Sequence, residues 1–248
     1  MPYNQKTPDF NEYMFGMYLT FEVLESLRAD DDLDGIALSP SLQEEADLGY
    51  DMKIPRKSAM LYLQFKLPEL MRKSNASEWG TFGDQYLRFT VKTDATTNGN
   101  IQHNVLCALE DSGEHVFYAA PAFMTMNEIT EYVNEKTVCD NSVFPRPSAL
   151  GPVQPDSTHR FAYIDADNVH AFSEPKPAGD SNYDPLLNKL RSSVREAERI
   201  PVEEFLGRES SLLSVHIGHT PESDNVVQRV IETSSAVGLQ PILVTESE

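Results

Sequence analysis

Cysteine is scarce in this chain: two in 248 residues, Cys107 and Cys139, far apart in sequence. That excludes a disulfide framework and a cysteine-built zinc site, and fits a reducing compartment. Long apolar runs are missing as well. None approaches the roughly 18 residues that a membrane-spanning helix needs. The opening "MPYNQKTPDF" lacks the basic-then-apolar pattern of a secretory signal. The expectation is a soluble cytoplasmic protein with no membrane partner. Positive charge is also in short supply, with 20 Lys and Arg against 39 Asp and Glu and a formal charge of −19. A body so acidic excludes indiscriminate nucleic-acid binding.

What positive charge there is sits in one place. Residues 1–50 sum to −9, 93–150 to −6 and 151–248 to −8, whereas 51–92 sum to +4. Polyanions are repelled everywhere except at that segment. The chain is long enough to bury a core without metal or disulfide staples.

Helical spacing of Met14, Met17, Tyr18, Phe21 and Leu24 predicts a helix over about 10–28, with that stripe as core packing. An acidic run ending at Gly35 closes it, and "GIALS" reads as a short strand. Strands follow at 50–54 and 60–67 around a turn at Pro55-Arg56-Lys57-Ser58, the pattern of a hairpin. "YLRFTVK" at 86–92 is a further strand, "NIQHNVLCALEDSG" a short helix and "HVFYAAP" a buried strand. Thr125 and Glu128 form a capping-box pair ahead of a helix over 126–136. "RFAYIDA" is another strand. Beyond a Pro/Gly/Asp linker at 173–183 come two helices, one from Asp184-Pro185 and one near 223–237, and a strand "PILVT". The fold class is mixed α/β. Residues 1–172 form one domain and 173–248 a C-terminal appendage.

The strand over 60–67 poses the functional question. Alternation puts Leu61, Leu63, Phe65 and Leu67 on one face and Tyr62, Gln64 and Lys66 on the other. An amide and an ammonium side by side on a half-buried strand mark either a solvated surface or a site. Antiparallel pairing sets Asp51 roughly opposite Tyr62 to Gln64. A carboxylate and an amide oxygen are hard ligands suited to Mg²⁺. A neighbouring lysine can orient a water or stabilise charge on a phosphate oxygen.

Asp51, twelve intervening residues and then Gln64-Phe65-Lys66 resemble the PD-(D/E)xK nuclease superfamily, in the branch where glutamine replaces the second acid. The family core is a glutamate-bearing helix, a three-strand meander carrying the motif, a helix and a fourth strand. It matches residues 10–121, about half the chain, although Tyr50 stands where that family often has proline. The resemblance implies a restriction-endonuclease-like αβββαβ core and Mg²⁺- or Mn²⁺-dependent phosphodiester cleavage. Asp51 and Gln64 would hold the metal, Glu12 or Glu45 would complete the site, and Lys66 would position the water. It implies nucleic acid as partner, DNA first, in restriction or anti-phage defence. In that pattern Gln102-His103 is the polar pair on the following helix.

The basic segment supplies the expected footprint: Lys53, Arg56, Lys57, Arg72, Lys73 and Arg88, with Gln102 and His103. Trp79 is a base-stacking candidate or a core aromatic. His216 and His219 in "HIGH" lack a third ligand and read as polar surface. Two rival readings stand beside the nuclease. One is a catalytically silent copy of the same fold, working as a subunit with a protein partner or as a homo-oligomer. The other is an acidic binding module without that ancestry.

Overall fold

The computed structural model describes residues 6–30, 32–40, 48–56, 60–94, 101–172, 176–179 and 181–183. The first helix, α1 (Glu12–Ala29), starts where the Asn11 side chain accepts the N–H of Met14 at 2.8 Å. Its buried face is Phe15, Leu19, Val23 and Leu27 with Gly16, Thr20 and Leu24. The helix is therefore rotated from the expected stripe: Phe21 is 60% exposed and Tyr13 79%. Of the expected stripe, Leu24 is buried and Met14 and Tyr18 pack against the core, while Gly16 lets the helix sit directly on Phe65.

Strands β1 (Met52–Ile54) and β2 (Leu61–Phe65) pair antiparallel, with Met52 opposite Leu63 and Ile54 opposite Leu61. The hairpin read from alternation is present, and Leu61, Leu63 and Phe65 are buried. Outside β1 the stretch containing "GIALS" makes antiparallel bridges, Leu38 to Lys53 and Leu33 to Arg56. Helix α3 (Gln102–Asp111) leads back to β5 (His115–Pro121), which runs parallel to β2. Strand β6 (Ser142–Val143) closes that edge antiparallel, after helix α4 (Met126–Glu135) with its Thr125–Glu128 capping box. The first sheet has the order β1-β2-β5-β6.

The strand expected at 86–92 is present but lies in a second sheet rather than in the motif meander. As β4 (Tyr86–Val91) it lies between β3 (Glu69–Met71) and β7 (His159–Tyr163), and the sheet continues through β8 (Val169–Phe172) to β9 (Lys176–Pro177). This second sheet is antiparallel throughout. A short helix, α2 (Trp79–Phe82), lies in the β3–β4 connection. The third antiparallel position beside the hairpin thus belongs to the Leu38 stretch. The architecture is mixed α/β, with two sheets and four α-helices among the described residues.

The first sheet is covered on both faces. Phe15, Leu19, Val23 and Leu27 pack on Ile54, Leu61, Leu63 and Phe65 on one side. On the other, Tyr50, Tyr62, Val116 and Tyr118 meet Leu106 and Leu109 of α3 and Phe89, Phe161 and Tyr163 of the second sheet. Of residues 173–248, only 176–179 and 181–183 are described, and they join the second sheet and the core. There Phe144 donates its N–H to the Ser181 carbonyl, and the Tyr183 hydroxyl lies 3.1 Å from Ser26 Oγ. The helices and strand expected beyond 183, with His216 and His219, lie outside the described residues, as do Glu45 and Lys57. Among the described residues no helix is long and apolar enough to cross a membrane.

Candidate metal and phosphate site

Asp51 precedes β1 and donates its backbone N–H to the Leu63 carbonyl at 2.9 Å, which sets its side chain beside the end of β2. Gln64 Nε2 donates to Asp51 Oδ2 at 2.6 Å. The Phe65 backbone N–H donates to the same oxygen. The Gln64 nitrogen also lies 3.5 Å from the Phe65 carbonyl oxygen. Two residues thirteen positions apart in sequence therefore meet.

The solvated alternative for this strand face is overturned. Gln64 is only 1% exposed and Tyr62 2%, because α3 and the second sheet cover that face. Burial makes satisfaction of polar atoms costly to neglect. Yet Gln64 Oε1 is buried with no hydrogen-bond partner. Lys53 does not project as a free phosphate ligand; its ammonium lies 5.5 Å from the Tyr62 ring centroid.

The approach to Asp51 is shaped by Gly49, at φ +85°. A Cβ there would lie 3.0 Å from the Gln102 carbonyl oxygen and 3.4 Å from Leu106 Cγ. Only glycine both adopts that angle freely and lets the first turn of α3 approach. Because α3 runs opposite to β2, its N-terminal end lies at the Asp51 end of the sheet. Gln102 is buried there, as part of the wall. Lys66 continues the ladder by one bond, its N–H to the Ala119 carbonyl at 2.9 Å, and is half-buried. That extra bond keeps Lys66 on the Gln64 side of the strand. Glu12, half-buried in the first turn of α1, lies one turn before Gly16, which rests on Phe65. It is at the same end of the sheet but on the opposite face from Gln64.

At this end the Gln64 Nε2 faces the Asp51 carboxylate and the Phe65 carbonyl, and Oε1 of the same amide is buried without a partner. This set of oxygens is hard and low in charge, and it fits Mg²⁺ or Mn²⁺ rather than zinc. Among the described residues no group of three His, Cys, Asp or Glu gathers around one point.

Comparison with protein-family models, curated proteins and solved structures finds no match. The geometry is what carries the reading.

The rest of the expected footprint is reassigned. Arg56 is 2% exposed, and its Nε donates to Asp32 Oδ2 at 2.7 Å. It looked like a turn cation but is a buried structural ion pair at the far end of the hairpin. His103 is fully buried rather than facing the site. Its Nε2 lies 2.9 Å from the Gly151 carbonyl, which can only accept, so Nε2 carries the proton. Nδ1, 2.8 Å from the Tyr118 hydroxyl, is then the acceptor. Burial pushes the His103 pKa down.

Arg88 is drawn to Glu78, which also holds Arg160 and the Tyr86 hydroxyl. Burial alone would raise the Glu78 carboxyl. Hydrogen bonding from Tyr86 and the charge of Arg88 outweigh it and hold that carboxyl below its usual range. Trp79 packs with Phe82, Met71 and Tyr86 and belongs to this outer cluster. Arg72 and Lys73 remain exposed. Sequence reasoning missed Phe65 as a backbone member of the site, and Gly49 as its spacer. The glycine two residues before the aspartate was the available signal.

Proposed function

We propose that this chain is a divalent-metal-dependent phosphodiesterase of PD-(D/E)xK nuclease type, acting on nucleic acid with DNA as the first candidate. The observation that carries the reading is the meeting of Asp51 and Gln64 at 2.6 Å, with a buried, unpartnered amide oxygen beside them. The elements around the motif lend support in part: α1, an isolated bridge at Leu38, β1 and β2 come first, β3, α2 and β4 of the second sheet intervene, and α3 then leads to β5 parallel to β2.

Asp51 and Gln64 would hold Mg²⁺ or Mn²⁺, with the Phe65 carbonyl adjoining. The bound cation supplies Lewis-acid polarisation of the phosphodiester. Asp51 is held in place by the Phe65 N–H, so its carboxylate is oriented before any ligand arrives. Lys66, half-buried just beyond β2, would bring a positive donor to this strand end, to align a water or neutralise charge developing on a phosphate oxygen. Cytoplasmic location and a restriction or defence setting follow only from the company such domains keep.

A second reading has its own support. Arg56 and Arg88 are committed to internal carboxylates, which thins the basic footprint on an acidic chain. That favours a silent subunit of the same fold, joined to a protein partner or to its own copies. One experiment separates the two. Plasmid, single-stranded DNA and RNA are incubated with the protein and Mg²⁺ or Mn²⁺, alone and with any protein that co-purifies. Metal-dependent cleavage that is lost in Lys66→Ala supports the enzyme. No cleavage of any substrate with either metal supports the silent subunit.

A further inference from the structure

We infer that Gln64 is a built-in competitor of the cation: in the metal-free protein its Nε2 group occupies the cation's side of Asp51, and metal loading requires the carboxamide to turn end for end. This rests on the metal-site reading above and deepens it. The Gln64 nitrogen points between two acceptors, Asp51 Oδ2 at 2.6 Å and the Phe65 carbonyl oxygen at 3.5 Å. Without a cation, the reverse orientation would set the amide oxygen against a carboxylate and a carbonyl. The partial positive charge on the N–H₂ group is what the site tolerates.

That orientation leaves Oε1 buried without a donor, which is destabilising. A cation beside Asp51 reverses both terms at once. It repels the N–H₂ hydrogens and attracts the orphaned oxygen. The side chain therefore has one arrangement favoured without the cation and another favoured with it, and the cation selects between them. Every gain in metal coordination is offset by loss of the Asp51–Gln64 hydrogen bond, so affinity is held down. An ionised glutamate at this position could not donate. It would place a second carboxylate against Asp51, weakening the metal-free fold by like-charge repulsion and strengthening metal binding.

The test compares wild type, Gln64→Glu and Gln64→Met as full-length protein. Melting temperature is read in EDTA and across a Mn²⁺ titration. The expected result is a lower melting temperature for Gln64→Glu in EDTA, restored by Mn²⁺, with apparent Mn²⁺ affinity about tenfold or more above wild type. Gln64→Met, which has neither donor nor ligand, should not respond. Equal Mn²⁺ affinity in wild type and Gln64→Glu overturns the inference. So does an unchanged melting temperature of Gln64→Glu in EDTA, or no Mn²⁺ response in either protein.

A measurement on wild type alone covers the case in which Gln64→Glu does not fold. The Gln64 side-chain NH₂ resonance, assigned by its loss in Gln64→Met, should shift and exchange faster with solvent on adding Mg²⁺. An unmoved resonance at saturating Mg²⁺ overturns the inference. The two readings fail separately. A wild type that cleaves nothing while Gln64→Glu gains Mn²⁺ affinity keeps the competitor and removes the enzyme. A wild type that cleaves while matching Gln64→Glu in affinity keeps the enzyme and removes the competitor.

Discussion

Gly16 of α1 and Phe65 of β2 are in direct contact: a Cβ built on Gly16 would lie 2.5 Å from Cδ2 of Phe65. The same Phe65 gives its backbone N–H to Asp51. The residue that seats the helix therefore also orients the carboxylate. Gly16→Ala tests this linkage. Alanine gains about 1 kcal/mol in helix propensity. Overpacking costs about 1–3 kcal/mol, and the ring is backed by Phe15 in the core. The clash should win, for a net loss of about 1 kcal/mol, and weaken Mn²⁺ binding by moving Phe65. Gly80→Ala is the control, since a Cβ there meets nothing within 4 Å. Urea unfolding and a Mn²⁺ titration measure both effects. A stabilised Gly16→Ala would remove the close crossing.

The Arg56–Asp32 pair should behave as structure rather than as footprint. Both residues are buried, so removing one leaves the other charge without its main counter-ion, typically at about 3–5 kcal/mol. Arg56→Ala should lower the denaturation midpoint by that order while the folded fraction binds an oligonucleotide as before. Arg72→Ala with Lys73→Ala should do the reverse. Exposed positions usually change stability by less than about 0.5 kcal/mol. Each lost phosphate contact should flatten the salt dependence of binding by about 0.9 in log–log slope. Fluorescence anisotropy across a salt series distinguishes the two variants.

Local chemistry made much of the fold legible. Alternation located β2 and its buried leucines, and the Thr125–Glu128 pair located α4. Asp51 and Gln64 meet because a hairpin register follows from two short strands and their turn. Non-local choices were not legible. Nothing in "YLRFTVK" says that Phe89 pairs with Phe161 rather than with the neighbouring hairpin. Since that second sheet covers the Gln64 face, the burial of the site was hidden with it. Arg56 read as a turn cation because its partner, Asp32, comes from an acidic run that reads as solvated. His103 read as a site residue because sequence does not tell an amphipathic face from one clamped between a strand and a loop.

His103 carries a pH prediction. Its folded-state pKa is depressed below the ordinary 6.5, first by burial and then by the charge of His159. The unfolded chain therefore binds the proton more readily than the folded one. Stability from this group is fully present above pH 6.5 and is lost as pH falls towards the depressed value. Urea midpoints measured as pH is lowered through that window should decline with proton uptake on unfolding. His103→Gln, which cannot titrate, should be less stable at neutral pH but show a shallower decline. An equally steep decline in the variant would assign the acid sensitivity to other groups.

Lys66→Ala is the sharpest test of the site. Lys66 is half-buried at the end of β2, so truncation leaves no large cavity and the melting temperature should hardly move. Losing a group that stabilises developing charge costs about 3 kcal/mol of barrier, a hundredfold or more in rate. Asp51→Asn should lose cleavage equally and also weaken Mg²⁺ binding, since the anionic ligand is gone. Leu63→Ala separates stability from chemistry. That side chain is 1% exposed, and its loss should cost about 2–5 kcal/mol through a core cavity. Its remaining folded fraction should still cleave. Plasmid nicking at matched folded-protein concentration compares all three with wild type. Equal rates for wild type and Lys66→Ala would take Lys66 out of the chemistry, whatever Asp51 and Gln64 bind.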